Sequence, residues 1–168
     1  RRMLQALALR QAQEAEDDAR HDHLTNVLNR RGIADRFATL SEDMDKDSGL
    51  AVILIDIDQF KSLNDRFGHG YGDEVLSTIA TLIKRNVRAG DVVGRWGGEE
   101  FLAICPGIDA LDAQHIAEKI RRRIEHFHFG DCEHVTASVG LHWCPAAGSD
   151  LSRLVTLADV ALYSAKRG

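Results

Sequence analysis

Leu50-Ala-Val-Ile-Leu-Ile55 is a continuous apolar run of strand length, and it stops abruptly at Asp56-Ile57-Asp58. A half-solvated strand alternates apolar and polar side chains; a run with no polar residue reads as a central strand buried on both faces. The two acids at its end are alternate residues, so their carboxylates share one face where the strand leaves the core. Ligands of mixed and parallel sheets gather at the carboxyl ends of strands. A carboxylate there suits Mg²⁺, which takes one or two protein carboxylates plus substrate phosphates. An acid that simply marks the strand's end fits the same residues.

Helices and further strands alternate around this run. Residues 3–20 hold no Gly or Pro and are rich in Ala, Leu, Gln, Glu and Arg, which predicts a helix. Its apolar residues (Leu4, Leu7, Leu9) thin to alanines without a sustained heptad, so it reads as an exposed connector helix. A polar junction at 22–29 precedes a second helix from Arg30 to about Met44, with Ile33, Phe37 and Leu40 on one face. After the apolar run, a short helix is predicted from Gln59 to Phe67, then a Gly-rich bend from Gly68 to Gly72. Asp73 to Arg88 reads as an amphipathic helix through Val75, Leu76, Ile79, Leu82 and Ile83. Asp91–Trp96 and Glu100–Cys105 are strand-like and joined by Gly97-Gly98, a hairpin signal because the primed turns need positive φ. Helix follows at Ala110–His126, strand at Val135–Trp143 and helix at Leu151–Lys166. The order is a helical lead-in, then β-α-α-β-β-α-β-α, which predicts an α/β (α+β) fold with a mixed sheet flanked by helices.

At 168 residues the chain fits one domain. A formal charge of −5 and a pI near 5.9 argue against a nucleic-acid partner, whose binding surface is normally basic. Cys105, Cys132 and Cys144 are odd in number and lack Cys-x-x-Cys spacing, so a disulfide framework is not expected and a reducing, cytoplasmic compartment is. No apolar run approaches the roughly 20 residues that span a bilayer. The opening on Arg1-Arg2 reads as a piece of a longer polypeptide, which leaves room for a membrane anchor elsewhere in the parent. His21, His23, His126, His128 and His134 form no Cys/His set with zinc-finger spacing.

The Gly97-Gly98 pair lets a ligand approach the backbone closely, since no Cβ stands in the way. Glu99 and Glu100 beside it are the acids of a solvated hairpin tip, or they reach the metal that Asp56 holds. A hairpin lying next to the buried strand would place its turn near that strand's exit. Asp56 and Glu99 would then share one centre suited to metal-assisted phosphoryl transfer, though sequence alone does not fix their distance.

Trp96-Gly-Gly-Glu-Glu-Phe101 resembles the signature of the GGDEF-domain diguanylate cyclases, in its GGEEF form. Three further stretches resemble the family's motifs in the same order. They are Asp22-His-Leu-Thr-Asn-Val-Leu-Asn-Arg-Arg31, the run Asp56-Ile-Asp-Gln-Phe-Lys-Ser-Leu-Asn-Asp65 with Gly68-His69 and Gly72-Asp73, and Ala158-Asp-Val-Ala-Leu-Tyr-Ser-Ala-Lys166. The resemblance implies a palm-like, nucleotidyl-cyclase-like sheet, largely antiparallel, with residues 1–21 as a signalling or linker helix and 22–168 as the catalytic domain. It also implies that two GTP molecules, one per subunit of a homodimer, condense to cyclic di-GMP and pyrophosphate.

Carried over by motif position, Asp56, the carbonyl of Ile57 and Glu99 would ligate two Mg²⁺ ions, with Mn²⁺ a substitute. Glu99 would also be the base for the ribose 3′-hydroxyl. Asn64 and Asp73 would read guanine, and the family's adenine-accepting variants are altered at the position of Asp73. Lys61 would stabilise phosphate charge, His69 would lie near the nucleotide, and Lys166 would contact the terminal phosphates. Arg88-Ala-Gly-Asp91 is similar to the family's inhibitory Arg-x-x-Asp site, which binds the cyclic di-GMP product. The family normally continues into a short final strand beyond the closing helix, and an upstream sensory domain is the expected partner of the lead-in helix.

Overall fold

A computed structural model describes residues 1–131, 134–148 and 150–168. The apolar run is the inner part of β1 (Gly49–Ile57), and every residue from Leu50 to Ile57 is buried. β1 lies between β3 (Glu100–Pro106) and β4 (Ala137–Pro145), with β2 (Val92–Arg95) outside β3, so the sheet order is β2-β3-β1-β4. All three ladders are antiparallel. Among the described residues the parallel contribution is a single bridge, Leu28 to Gly94, that attaches the segment before the second helix to β2.

Because successive strand residues point to opposite faces, β1 feeds two separate cores. Ala51, Ile53, Ile55 and Ile57 face α3 (Phe60–Phe67), α4 (His69–Arg85) and α5 (Ala110–His126), meeting Leu63, Ile79, Ile83, Ile120 and Ile124. Leu50, Val52 and Leu54 face α2 (Arg30–Asp43) and α6 (Leu151–Arg167), meeting Ile33, Phe37, Leu154, Ala158 and Leu162. By the same parity Asp56 belongs to the α2/α6 side. Gly140 of β4 lets α6 lie against the sheet: a Cβ there would stand 2.2 Å from the Ala158 carbonyl oxygen.

α1 (Arg2–Arg20) buries none of its residues, and Met3, Leu4, Leu7 and Leu9 are all exposed. Its end is tied to α2: Arg20 Nε donates to Asp35 at 2.9 Å, and Asn29 Nδ2 donates to the Ala19 carbonyl at 2.9 Å. The Asn29 side chain also caps α2 by accepting from Gly32 N.

Three local expectations change. The Gly68–Gly72 stretch is not a bend throughout; only Gly68, at φ 90°, turns the chain, and α4 starts at His69. Gly72 serves packing instead, since a Cβ there would stand 1.8 Å from Asn64 Oδ1 on α3. α4 ends at Arg85, where Asn86 Nδ2 folds back on the Leu82 carbonyl, so Arg88 lies in the following loop. Gly97 and Gly98 do not take positive φ. The β2–β3 connection runs from Trp96 to Glu99 and closes through Trp96 N and Gly97 N, both donating to the Glu100 carbonyl at 2.8 and 3.2 Å.

Candidate active site

The sheet register brings the acids together. Asp56 pairs with Glu100 across the β1–β3 ladder, and Ile57 N donates to the Glu99 carbonyl at 3.2 Å. The Gly97–Glu99 turn therefore sits at the exit of β1, as hairpin pairing requires. Asp56 is 8% exposed, a charged residue buried at the strand end. Its Oδ2 accepts from Lys166 Nζ at 2.7 Å, where the last turn of α6 passes over the strand end. Its Oδ1 is buried and has no partner.

The electrostatics follow from this crowding. Burial pushes the Glu99 carboxyl above its ordinary range; Asp56 adds to the rise and Lys166 opposes it. Glu100 is raised first by burial, then by Asp56 and Asp159, against the pull of Arg30. The hydrogen bond to Asp56 holds the Lys166 ammonium above its usual value despite partial burial. Asp56 thus raises both glutamates, with Lys166 opposing at Glu99 and Arg30 at Glu100. No three Asp, Glu, His or Cys side chains among the described residues form a ready cage. Two carboxylates, one of them with a buried unpartnered oxygen, fit a hard divalent ion that fills its other positions with water and phosphate. The floor beside them is open, since nothing lies within 4 Å of the Cβ position at Gly98.

Asn64 and Gly72 form a second constellation. Asn64 Oδ1 is buried without a partner, so its amide presents an acceptor that a ligand N–H would satisfy. Asp73 follows Gly72 on α4 and is exposed, as are Lys61 on α3 and His69 at the start of α4. Arg88 and Asp91 form a third. Arg88 Nη2 and Nε donate to Asp91 at 2.9 and 3.2 Å, and Nη2 also reaches the Pro106 carbonyl at 2.6 Å. The Asp91 side chain is almost fully buried under an Arg88 that is 48% exposed. β2 follows Asp91 and β3 ends at Pro106, so this pair marks the end of the hairpin opposite the Glu99 turn. Cys105 lies under it, and burial together with Asp91 pushes its thiol up to about 12.

The family model described as "Diguanylate cyclase, GGDEF domain" matches residues 19–168. The chain belongs to the GGDEF family. A diguanylate cyclase of Vibrio cholerae is 38% identical over 151 residues, covering 89% of this chain and 47% of that protein. The chain spans 22–47% of the length of the curated relatives MucR of Pseudomonas aeruginosa, this Vibrio enzyme and DgcT of Escherichia coli. Among solved structures, the coiled coil and GGDEF domain of DgcB from Caulobacter crescentus, in complex with c-di-GMP, superposes with a TM-score of 0.85. That match is 28% identical and covers 99% of this chain and 91% of that one. The active GGEEF domain of a Vibrio cholerae diguanylate cyclase gives a TM-score of 0.73 at 37% identity, covering 83% and 90%.

Within this GGDEF domain, strand alternation puts the Asp56 and Asp58 carboxylates on one face, and Asp56 is the one with an unpartnered oxygen. Asp58 is already satisfied: Ser138 Oγ and Thr136 Oγ1 of the β4 segment donate to its two oxygens at 2.6 and 2.7 Å. It clamps β4 to β1. Sequence reasoning passed over Arg95, whose guanidinium reaches both Asp22 and the Gly98 carbonyl. The signal was available, since an Arg two residues before Gly97 stands within the signature hairpin. Cys132 lies outside the described residues, and Cys105 is buried in β3.

Proposed function

We propose that this GGDEF domain is a diguanylate cyclase that condenses two GTP into cyclic di-GMP with release of two pyrophosphates. The observation that carries the reading is the Asp56 carboxylate, buried with Oδ1 unpartnered and held against the Glu99 turn by the β1–β3 register. Asp56, the Ile57 carbonyl and Glu99 would hold two divalent ions, Mg²⁺ with Mn²⁺ as a substitute. When bound, the metal lowers the pKa of the ribose 3′-hydroxyl and neutralises phosphate charge. Glu99 would take the hydroxyl proton as the general base.

Asn64 and Asp73 read guanine. The Asp73 carboxylate accepts from guanine's N–H donors, while the Asn64 amide donates to its acceptor edge. Adenine leaves that carboxylate poorly paired, which disfavours it. Lys61 and His69, exposed on α3 and α4, face the phosphates, and Lys166 turns from Asp56 to the terminal phosphates. One domain holds one GTP, so two copies meet face to face, with α1 setting their approach. Residues 1–21 are the signalling helix from an upstream sensory domain and 22–168 the catalytic domain. Arg88 and Asp91 bind the product as an inhibitor. Among the described residues no helix is long and apolar enough to cross a membrane, and we place the domain in the cytoplasm, where GTP is available.

Incubation with GTP and Mg²⁺, followed by chromatography, tests the reading. Cyclic di-GMP is expected with GTP and no cyclic dinucleotide with ATP. No product from a dimeric preparation would remove it.

A further inference from the structure

The motif that opens at Asp22 is left without a task by this chemistry. Asp22 stands just beyond α1 and starts a tight turn, with Asp22 N donating to the Val27 carbonyl at 2.7 Å and Asn26 N to the Asp22 carbonyl at 2.8 Å. Its Oδ2 accepts from the Thr25 amide at 2.9 Å and the Thr25 hydroxyl at 2.6 Å. Arg95 Nη1 donates to both of its oxygens, at 3.2 and 3.3 Å. Burial pushes the Asp22 carboxyl up, but the Thr25 hydrogen bonds and Arg95 outweigh it and leave it below the ordinary carboxylate range.

Arg95 is the last residue of β2, and its two ends do different work. Nη2 donates to the Gly98 carbonyl at 2.7 Å, directly before Glu99. Its backbone N donates to the Leu28 carbonyl at 2.7 Å, so the residue is anchored to the same turn that holds Asp22. A second strap comes from α2, where Arg30 Nε donates to the Trp96 carbonyl and the guanidinium lies 4.3 Å from the Trp96 ring centroid.

The turn needs such tethers. Successive glycines lose more conformational freedom on ordering than any other pair. Gly98 has open space where a Cβ would be, so no side-chain packing of its own holds it. A planar guanidinium with both ends anchored fixes a distance and an orientation at once, which an ammonium does not.

We infer that Arg95 is a positioning residue for Glu99: with Asp22 it ties the end of α1 to the Gly98 carbonyl, so the seating of α1 sets the posture of the Glu99 carboxylate beside Asp56. The inference rests on the proposed role of Glu99. It gives the lead-in helix a physical route to the site, a few ångströms of ion pair and hydrogen bond between the α1 exit and the turn.

Arg95→Lys keeps the charge and loses the fork; Asp22→Asn keeps an oxygen for Thr25 and loses the charge. Amide hydrogen exchange and GTP kinetics are measured on each and on the double variant. In Arg95→Lys, amides of residues 97–100 are expected to exchange about tenfold faster or more while those of β1 and α4 stay unchanged. Turnover is expected to fall by about tenfold to a hundredfold with the GTP KM held within about twofold, since a misplaced group costs rate rather than binding. Asp22→Asn is expected to act in the same direction, and the double variant to be no worse than Arg95→Lys alone. Unchanged exchange in the turn would overturn the tether. Uniform acceleration across the sheet, or single effects that multiply in the double variant, would do the same. Glu99→Gln separates the two claims: retained turnover there removes the role of Glu99, whereas an unaltered turn in Arg95→Lys removes the tether.

Discussion

Replacing Lys166 by methionine keeps the aliphatic stem and removes the ammonium that donates to Asp56 Oδ2 at 2.7 Å. Asp56 is 8% exposed and its other oxygen is already unpartnered, so the variant leaves a buried carboxylate beside Glu99 and Glu100 with no cation. Removing one partner of a fully buried pair costs about 3–5 kcal/mol. The Lys166 side chain is 40% exposed, so solvent screens its end of the pair. Exposed pairs are worth about 0–1 kcal/mol, which puts the expected loss between the limits, at about 1–2 kcal/mol. In a chain of this length each kcal/mol moves the melting temperature by about 2–4 °C, so metal-free Lys166→Met is expected to melt about 2–8 °C below wild type. Mg²⁺ supplies the missing charge and is expected to raise the variant's melting temperature more than that of wild type. The Asp56→Asn/Lys166→Met double variant is expected to recover most of the metal-free loss, because no buried charge remains unpaired. The folded pKa of Lys166 lies above its ordinary value, so the pair's contribution is complete below the ordinary lysine pKa and is lost as pH rises through the folded one. At neutral pH the gap between wild type and variant is therefore flat. Thermal melts in chelator and in Mg²⁺ measure all of this. Identical melting of wild type and Lys166→Met in chelator, or equal Mg²⁺ stabilisation of the two, would refute the reasoning.

Glu99→Gln is expected to raise the metal-free melting temperature at neutral pH while abolishing cyclic di-GMP formation. The raised carboxyl penalises the fold when ionised, and that penalty disappears as pH falls through the folded pKa, so the gain shrinks in acid; a melt series against pH checks the sign. Gly72→Ala places a Cβ 1.8 Å from Asn64 Oδ1 and forces that amide aside. Overpacking of about 1–3 kcal/mol is partly offset by about 1 kcal/mol of helix propensity, so the fold survives while the GTP KM rises and selectivity over ATP falls. Arg88→Ala removes charge-assisted hydrogen bonds worth about 1.5–3 kcal/mol and is expected to weaken inhibition by cyclic di-GMP about tenfold to a hundredfold. An unchanged inhibition constant would remove that assignment.

The order of elements was legible because each rests on local pattern. The apolar run gave β1, and its parity groups Asp56 with Leu50, Val52 and Leu54, the face that the structure covers with α2 and α6. Helical spacing found α4, but its start was misplaced because Gly70 and Gly72 look like bend residues until the packing against Asn64 is seen. The Gly-Gly pair found the hairpin for a partly mistaken reason: neither glycine takes positive φ, and the turn is closed by Trp96 and Gly97 amides on one carbonyl. The ion pairs were out of reach. Lys166 meets Asp56 across 110 residues and Arg95 meets Asp22 across 73, and nothing local in either sequence neighbourhood encodes the partner. Asp58 shows the converse, since an acid at a strand end reads alike whether it holds a ligand or two hydroxyls of the next strand.

In the proposed function the buried Asp56 and the Glu99 turn form one metal-dependent centre for GTP condensation. Simultaneous measurement of pyrophosphate and cyclic di-GMP from the chain with GTP and Mg²⁺ tests it most directly, with chelator and Glu99→Gln as controls. Two pyrophosphates per cyclic dinucleotide, at a rate per protein that rises with protein concentration and vanishes in both controls, is the expected result. Pyrophosphate release without the dinucleotide, or formation of the dinucleotide by Glu99→Gln, would contradict it.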